Sequence, residues 1–182
     1  MTRLSVLGHA LLGMLSTGEM TGYELTRAFD VSLANVWTAS HSQIYPELAK
    51  LEAAGFIRHT ESGPRGSKRY EATAAGRDEL RRWLAEPPQP QAVRSEALLR
   101  VFFLWMVPPE ESAGYLRRQA ALHREKLAAY EALAQAIGDC ADGPTRWSRI
   151  SLESGIRYER AMAEWAEWSV ARVAPPADAS SG

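Results

Sequence analysis

The sequence predicts a mainly α-helical chain in two parts, with one two-stranded hairpin in the first part and helices alone in the second. Apolar residues recur at helical spacing along most of the 182 residues. Glycine and proline separate two short strand-like segments between residues 56 and 72. A proline-rich stretch follows residue 86, so we predict domains at 1–86 and 87–174, with a disordered tail at 175–182.

Composition narrows the classes of protein. The formal net charge is −1, which argues against indiscriminate coating of nucleic acid. The single cysteine, Cys140, cannot form an internal disulfide, and no apolar run approaches the ~20 residues of a membrane span. There is no glycine-rich phosphate loop, metal-ligand cluster or nucleophile motif. We therefore expect a cytoplasmic protein without membrane contact that is not an enzyme and needs no metal or cofactor.

The first two helices are predicted from a leucine stripe and a cap. Leu4, Leu7, Leu11 and Leu15 repeat at helical spacing, and a lone histidine on this helix is a poor candidate for a metal ligand. Thr21-Gly22-Tyr23-Glu24 has the spacing of a capping box, so a second helix should start at Thr21 and run, with a bend, towards Trp37.

The third helix is predicted to begin at Ser40, because Ser40 and Gln43 repeat the capping-box spacing. Ile44, Leu48 and Leu51 fall on one face, and Gly55 suits a left-handed C-cap. Pro46 leaves two possibilities, since proline removes a backbone hydrogen bond. Either the helix contains Pro46 and kinks there, or a loop reaches Tyr45 and Pro46 opens the helix.

The opposite face of this helix carries small and hydrogen-bonding side chains, which suit the edges of bases in a DNA major groove. The residues predicted to read bases are Ser40, His41, Ser42, Gln43, Tyr45, Pro46 and Lys50.

A basic hairpin follows directly, with strands predicted at 56–60 and 68–72. From residue 63 to residue 70 every charged side chain is a cation, and cations at a hairpin tip neutralise phosphates while a neighbouring helix reads bases. The predicted phosphate-binding residues are Arg65, Ser67, Lys68 and Arg69.

Several ordered motifs in the first half closely resemble the PadR family of bacterial transcriptional regulators. They are LLGML at 11–15, MTGYEL at 20–25, SHSQIYPEL at 40–48, LEAAGFI at 51–57 and YEATAAG at 70–76.

The resemblance implies a winged helix-turn-helix, with Pro46 inside the recognition helix. It also implies that Tyr23 reaches a DNA phosphate, although an ordinary packing tyrosine is an equal alternative. Ser42 stands where many members have glycine. The family is further taken to respond to small, often aromatic compounds.

The second part begins after a fourth helix, which Thr73 should cap and in which Gly76 allows close approach to a neighbour. Residues 95–106 are apolar almost all round, which predicts burial on several sides. Pro108 and Pro109, followed by two glutamates, then mark the start of a long helix.

The long helix carries a coiled-coil-like seam that needs a partner. A last helix from Trp147 to Val173 could supply it within the chain, or a second copy could. Two-fold DNA operators favour the second copy. The residues predicted for dimerisation are Leu116, Ala120, His123, Leu127, Tyr130, Ile137, Tyr158, Met162 and Trp165, with Ala134 on the same seam.

Six tryptophans are many for this chain. Trp105, Trp147 and Trp168 are candidates to line a pocket for a small aromatic effector, although large aromatics filling a dimer core are the favoured explanation. The expected function is a homodimeric, sequence-specific repressor that binds double-stranded DNA at an inverted repeat. A winged helix used only for protein–protein interaction is the alternative.

Overall fold

The computed structural model describes residues 4–32, 37, 39–60, 67–88, 94–138 and 143–173. Arg65, Cys140 and the predicted tail at 175–182 lie outside these ranges. The chain divides into two compact units, residues 1–90 and 91–182. The functional domain assignment, with its boundary after residue 86, stays a prediction.

The first unit combines helices with a small antiparallel sheet in the order β1-β3-β2. Its elements are α1 (Val6–Leu15), β1 (Met20–Thr21), α2 (Gly22–Ser32), α3 (His41–Ala53), β2 (Ile57–Thr60), β3 (Arg69–Ala72) and α4 (Ala74–Ala85).

Helix α1 lies at the centre of this unit and packs against α2, α3 and α4. Ser5 caps it, because its hydroxyl accepts from the Gly8 N–H at 2.9 Å. The predicted leucine stripe is confirmed in the core. The fully or nearly fully buried side chains are Leu11, Leu12, Leu15, Leu25, Phe29, Ile44, Leu48, Leu51, Ile57 and Ala72.

The capping box at the start of α2 is confirmed. The Thr21 hydroxyl accepts from the Glu24 N–H at 3.1 Å, and the Glu24 carboxylate accepts from the Thr21 N–H at 2.8 Å. The extension of this helix to Trp37 is wrong, since Trp37 is not helical.

The described sheet has one strand more than the two predicted for the wing, because β1 lies beside β3. Met20 and Thr21 pair with Tyr70 and Arg69 of β3. A strand of two residues is too short to show the alternation from which strands are predicted. The other two strands are confirmed, although each begins one residue later than predicted.

The close approach predicted at Gly76 is confirmed. A Cβ atom there would lie 2.1 Å from the Phe56 carbonyl oxygen. Thr73 caps α4 by accepting from the Gly76 N–H at 3.1 Å, and the Thr73 N–H donates to the same Phe56 carbonyl at 2.9 Å. Together these contacts hold α4 against the end of α3 and the start of β2.

The second unit is helical in its described residues. Its elements are α5 (Glu96–Val101), a 3-10 turn (Leu104–Met106), α6 (Pro109–Ile137) and α7 (Gly143–Val173). The predicted start of α6 at its prolines is confirmed. Helix α7 begins earlier than the predicted Trp147.

The seam of α6 is covered by α7 of the same chain, which corrects the preference for a second copy there. A buried hydrogen bond joins the two helices, in which His123 Nδ1 lies 2.5 Å from a Glu159 carboxylate oxygen. The seam residues Leu116, Ala120, His123 and Ala134 are buried, while Leu127, Tyr130 and Ile137 are partly buried beside Leu152 and Ile156 of α7.

The prediction of burial at 95–106 is wrong for the second unit by itself. Phe102 and Trp105 are 76% and 77% exposed, and Leu99, Phe103 and Met106 are also exposed. Apolar composition predicts that a segment will be covered, but it does not say by what.

No helix in the described ranges is long and apolar enough to cross a membrane. Among the same residues, no group of three or more histidine, cysteine, aspartate or glutamate side chains could hold a metal ion.

Candidate nucleic-acid interface

Helix α3 presents two different faces, as predicted. Ile44 and Leu51 are fully buried and Leu48 is 1% exposed, so the apolar face lies in the core. The helix runs unbroken from His41 through Pro46. The alternative in which a loop reaches Tyr45 is therefore wrong.

The other face is open to solvent. Ser42, Gln43, Tyr45, Pro46 and Lys50 are all exposed, as the prediction for a base-reading face requires; the side chain of His41 lies outside what is described. The Ser40 N–H donates to the side-chain amide oxygen of Gln43 at 2.9 Å, and the Ser40 and Ser42 hydroxyls lie 2.8 Å apart. The Gln43 oxygen therefore serves the helix cap, which leaves its amide nitrogen as the donor for a base edge.

A cleft of about 1040 Å³ opens between the start of α2, the exposed face of α3 and the wing. Ser67 and Lys68 line it from the wing, Tyr45 from α3 and Tyr23 from α2. Tyr23 is 61% exposed, so it is not an ordinary packing tyrosine. The fold thus brings three separately predicted segments to one surface.

Tyr45 is seated against the first residue of α2. A Cβ atom at Gly22 would lie 2.7 Å from a ring carbon of Tyr45 and 3.2 Å from its hydroxyl oxygen. The ring occupies the space that a side chain at Gly22 would fill. Glycine at this position therefore leaves room for the Tyr45 ring beside the start of α2.

The cations of this surface differ in their partners. Lys68 is exposed and has no ion pair within the described chain. Arg69, also predicted to hold a phosphate, donates to the Glu19 carbonyl oxygen at 3.0 Å and lies 3.4 Å from a Glu24 carboxylate oxygen. Arg69 therefore ties β3 to the segment before α2, and only Lys68 of this pair is free for phosphate.

The surroundings of Glu24 and Tyr70 shift the pKa values of these two side chains. The Thr21 N–H, the Thr21 hydroxyl and the Arg69 charge together hold the pKa of Glu24 below its ordinary value. Burial, with the nearby Glu52 carboxylate and Tyr45, raises the pKa of Tyr70 above its ordinary value. Glu24 is thus ionised and Tyr70 is neutral at physiological pH.

Arg27 lines the cleft and was missed by the sequence analysis. It is exposed on α2 and has no ion pair among the residues that the structure describes. Its spacing could have predicted this position, because Arg27 follows Tyr23 by four residues and so lies on the same helical face.

The residues predicted for an effector are not brought together as a buried group. Trp105, Trp147 and Trp168 are 77%, 69% and 55% exposed, and the Arg172 guanidinium lies 3.6 Å above the Trp168 ring. Of the remaining predicted dimerisation residues, Tyr158 is exposed, whereas Met162 and Trp165 are half-buried. Their assignments stay predictions.

Known proteins resemble the chain over both units. Residues 11–82 match the family model described as the transcriptional regulator PadR-like family, and residues 93–174 match that of the virulence activator alpha C-term. The negative transcriptional regulator PadR of Bacillus subtilis is 34% identical over 179 residues, covering 93% of this chain and 98% of that protein.

Two crystal structures of Bacillus subtilis PadR resemble this structure closely. The complex with operator DNA has a TM-score of 0.84 at 32% identity, covering 93% of this chain and all of that one. The complex with p-coumaric acid has a TM-score of 0.83 at 30% identity, covering 93% and 99%.

The winged-helix unit with its open recognition helix, together with these matches, identifies a DNA-binding transcriptional regulator. The chain belongs to the PadR-like family of these regulators. Proteins this similar are regulators of transcription and not enzymes.

Proposed function

We propose that the chain is a cytoplasmic, homodimeric repressor that binds an inverted-repeat operator and is released by a small aromatic effector. The observation that carries the DNA-binding part is the cleft, where the exposed face of α3 meets cations from α2 and the wing that have no ion pair among the described residues. The exposed side chains of α3 would read bases, while Lys68 and Arg27, with the undescribed Arg65, would bind phosphates.

The repressor role is supported by the similar protein of Bacillus subtilis, whose name describes a negative regulator. An aromatic effector is supported by the complex of that protein with p-coumaric acid. Residues 1–86 form the DNA-binding domain in this proposal, and residues 87–174 form the domain for dimerisation and effector binding.

The homodimer is supported by the apolar surface of the second unit. Leu99, Phe102, Phe103, Trp105 and Met106 are between 55% and 77% exposed in one chain. Exposed apolar side chains of this size in one short segment mark an interaction surface. A two-fold dimer would cover them and present two recognition helices to the two half-sites of an inverted repeat.

The test is a selection of fragmented genomic DNA by the purified protein at physiological salt. Wild type should enrich one inverted-repeat sequence. Lys68→Ala should weaken binding to the enriched sequence, and Lys126→Ala, an exposed lysine on α6 of the other unit, should bind as wild type does. A module that only docks proteins would enrich no sequence, and this result would overturn the proposal.

The effector part has its own test on the enriched duplex. Addition of p-coumaric acid should release the duplex, measured as a fall in fluorescence anisotropy. An unchanged anisotropy at saturating p-coumaric acid, with no quenching of tryptophan fluorescence, would remove this compound from the proposal and leave DNA binding standing.

A further inference from the structure

One carboxylate on the recognition helix, that of Glu47, is buried, and each of its two oxygens has a hydrogen-bond partner. Glu47 is 8% exposed on α3. One carboxylate oxygen accepts from the Ser5 hydroxyl at 2.7 Å, and the other lies 2.6 Å from the Lys50 ammonium. The same residue therefore contacts the cap of α1 and an exposed cation of the predicted base-reading face.

The contact with α1 is built into the packing of the two helices. Ser5 accepts from the Gly8 N–H while it donates to Glu47, so the cap of α1 and the position of α3 share one hydroxyl. A Cβ atom at Gly8 would lie 3.1 Å from the Glu47 carboxylate. The absence of a side chain at Gly8 makes room for the acid.

The contact with Lys50 changes what that lysine can do. Lys50 is the described cation nearest the middle of α3, and its side chain is 65% exposed. An ammonium held by a carboxylate releases no additional counterion when a phosphate approaches, so it adds little to sequence-independent binding. A free ammonium on the same helix would attract any duplex.

We propose that Glu47 is a specificity-determining positioning residue, which fixes α3 on α1 through Ser5 and neutralises Lys50 so that non-specific DNA affinity stays low. The inference rests on the proposed DNA binding. It assigns selectivity to a residue that does not itself face the cleft.

The test compares the full-length protein and its variants on two duplexes of equal length, the selected operator and a random sequence. Glu47→Gln keeps the shape of the side chain and removes its charge. The affinity for the random duplex should rise about three- to fourfold at low salt, and the slope of log affinity against log salt should steepen by about one, because one cation has been freed. The ratio of operator to random affinity should fall.

Lys68→Ala is a control at an exposed lysine that has no ion pair in the described chain, and it should not endanger folding. The salt slope should become shallower by about one in Lys68→Ala, because this variant loses a free cation. The double variant Glu47→Gln/Lys50→Ala should lose the gain in random-duplex affinity.

Three outcomes would overturn the inference while leaving the proposed function intact. They are a folded Glu47→Gln that retains the wild-type affinity ratio, a Glu47→Gln that weakens binding to both duplexes equally at unchanged slope, and a double variant Glu47→Gln/Lys50→Ala that keeps the gain in random-duplex affinity. A wild-type protein that fails to distinguish the two duplexes would instead contradict the proposed function.

Discussion

Replacement of Gly22 by alanine should weaken operator binding by displacing Tyr45, without unfolding the protein. The new Cβ atom would lie 2.7 Å from a Tyr45 ring carbon, whereas carbon atoms in ordinary contact are about 3.5–4.0 Å apart. The ring edge must therefore move by about 1 Å. Tyr45 is 49% exposed, so it can move into solvent and leave the backbone in place.

The expected magnitude follows from what the displaced hydroxyl can no longer contact. A hydrogen bond contributes about 1 kcal/mol net, which corresponds to about a fivefold loss of operator affinity. The effect on stability should be small, because alanine is favoured over glycine in helices by at most about 1 kcal/mol and the Tyr45 displacement acts in the opposite direction.

A double-mutant cycle separates this mechanism from a general loss of structure. Operator affinities of wild type, Gly22→Ala, Tyr45→Ala and the double variant would be measured by fluorescence anisotropy, with thermal unfolding as the control for folding. Gly22→Ala should not lower the operator affinity further when Tyr45 has already been replaced by alanine. Equal losses in both backgrounds, or wild-type affinity in Gly22→Ala, would refute the reasoning.

Three further predictions concern stability. Gly76→Ala should lower the free energy of unfolding by about 2 kcal/mol or more, because its Cβ atom would lie 2.1 Å from a backbone oxygen. A Cβ atom at Gly18 would have no neighbour within 4 Å, so Gly18→Ala should leave the free energy of unfolding almost unchanged. Urea unfolding measures both values. Leu116 is 1% exposed, so Leu116→Ala should lower the free energy of unfolding by about 2–5 kcal/mol. Leu122 is 43% exposed, so Leu122→Ala should lower it by less than about 1 kcal/mol. Similar losses in the two variants would contradict a seam closed within the chain. Burial opposes ionisation of Glu47, but hydrogen bonds from Lys50 and Ser5 outweigh it and hold its pKa below the ordinary value of 4.5. The stabilisation is therefore present above pH 4.5 and is lost as the pH falls through the folded pKa. The difference in melting temperature between wild type and Glu47→Gln should shrink as the pH falls below 4.5.

The parts of the fold that local patterns dictate were predictable from the sequence. Thr21 and Ser40 begin their helices through short-range hydrogen bonds to residues three positions later. Gly55 has the positive φ of 73° that a left-handed cap requires. Each of these features depends on neighbours in the chain, which spacing reveals.

Features that depend on distant partners were not predictable in the same way. The strand at Met20 exists only because β3 lies beside it, and the partner of the α6 seam is decided by whether α7 folds back. The ion pairs of Arg69 with Glu19 and Glu24 likewise join residues far apart in sequence. The number of cations in the wing therefore overstates the number available to bind phosphate, because Arg69 is paired with carboxylates.

The distinction between free and paired cations bears on how a chain with a formal net charge of −1 can bind DNA selectively. Sequence-independent affinity grows with the number of phosphates neutralised, so every unpaired cation strengthens binding to all sites alike. In the described first unit, Lys50, Arg58 and Arg69 each contact a carboxylate, while Arg27 and Lys68 at the cleft do not. In the proposed function this pairing keeps the non-specific contribution small, and the geometry of α3, set by its contacts with α1 and α2, selects the sequence that is bound.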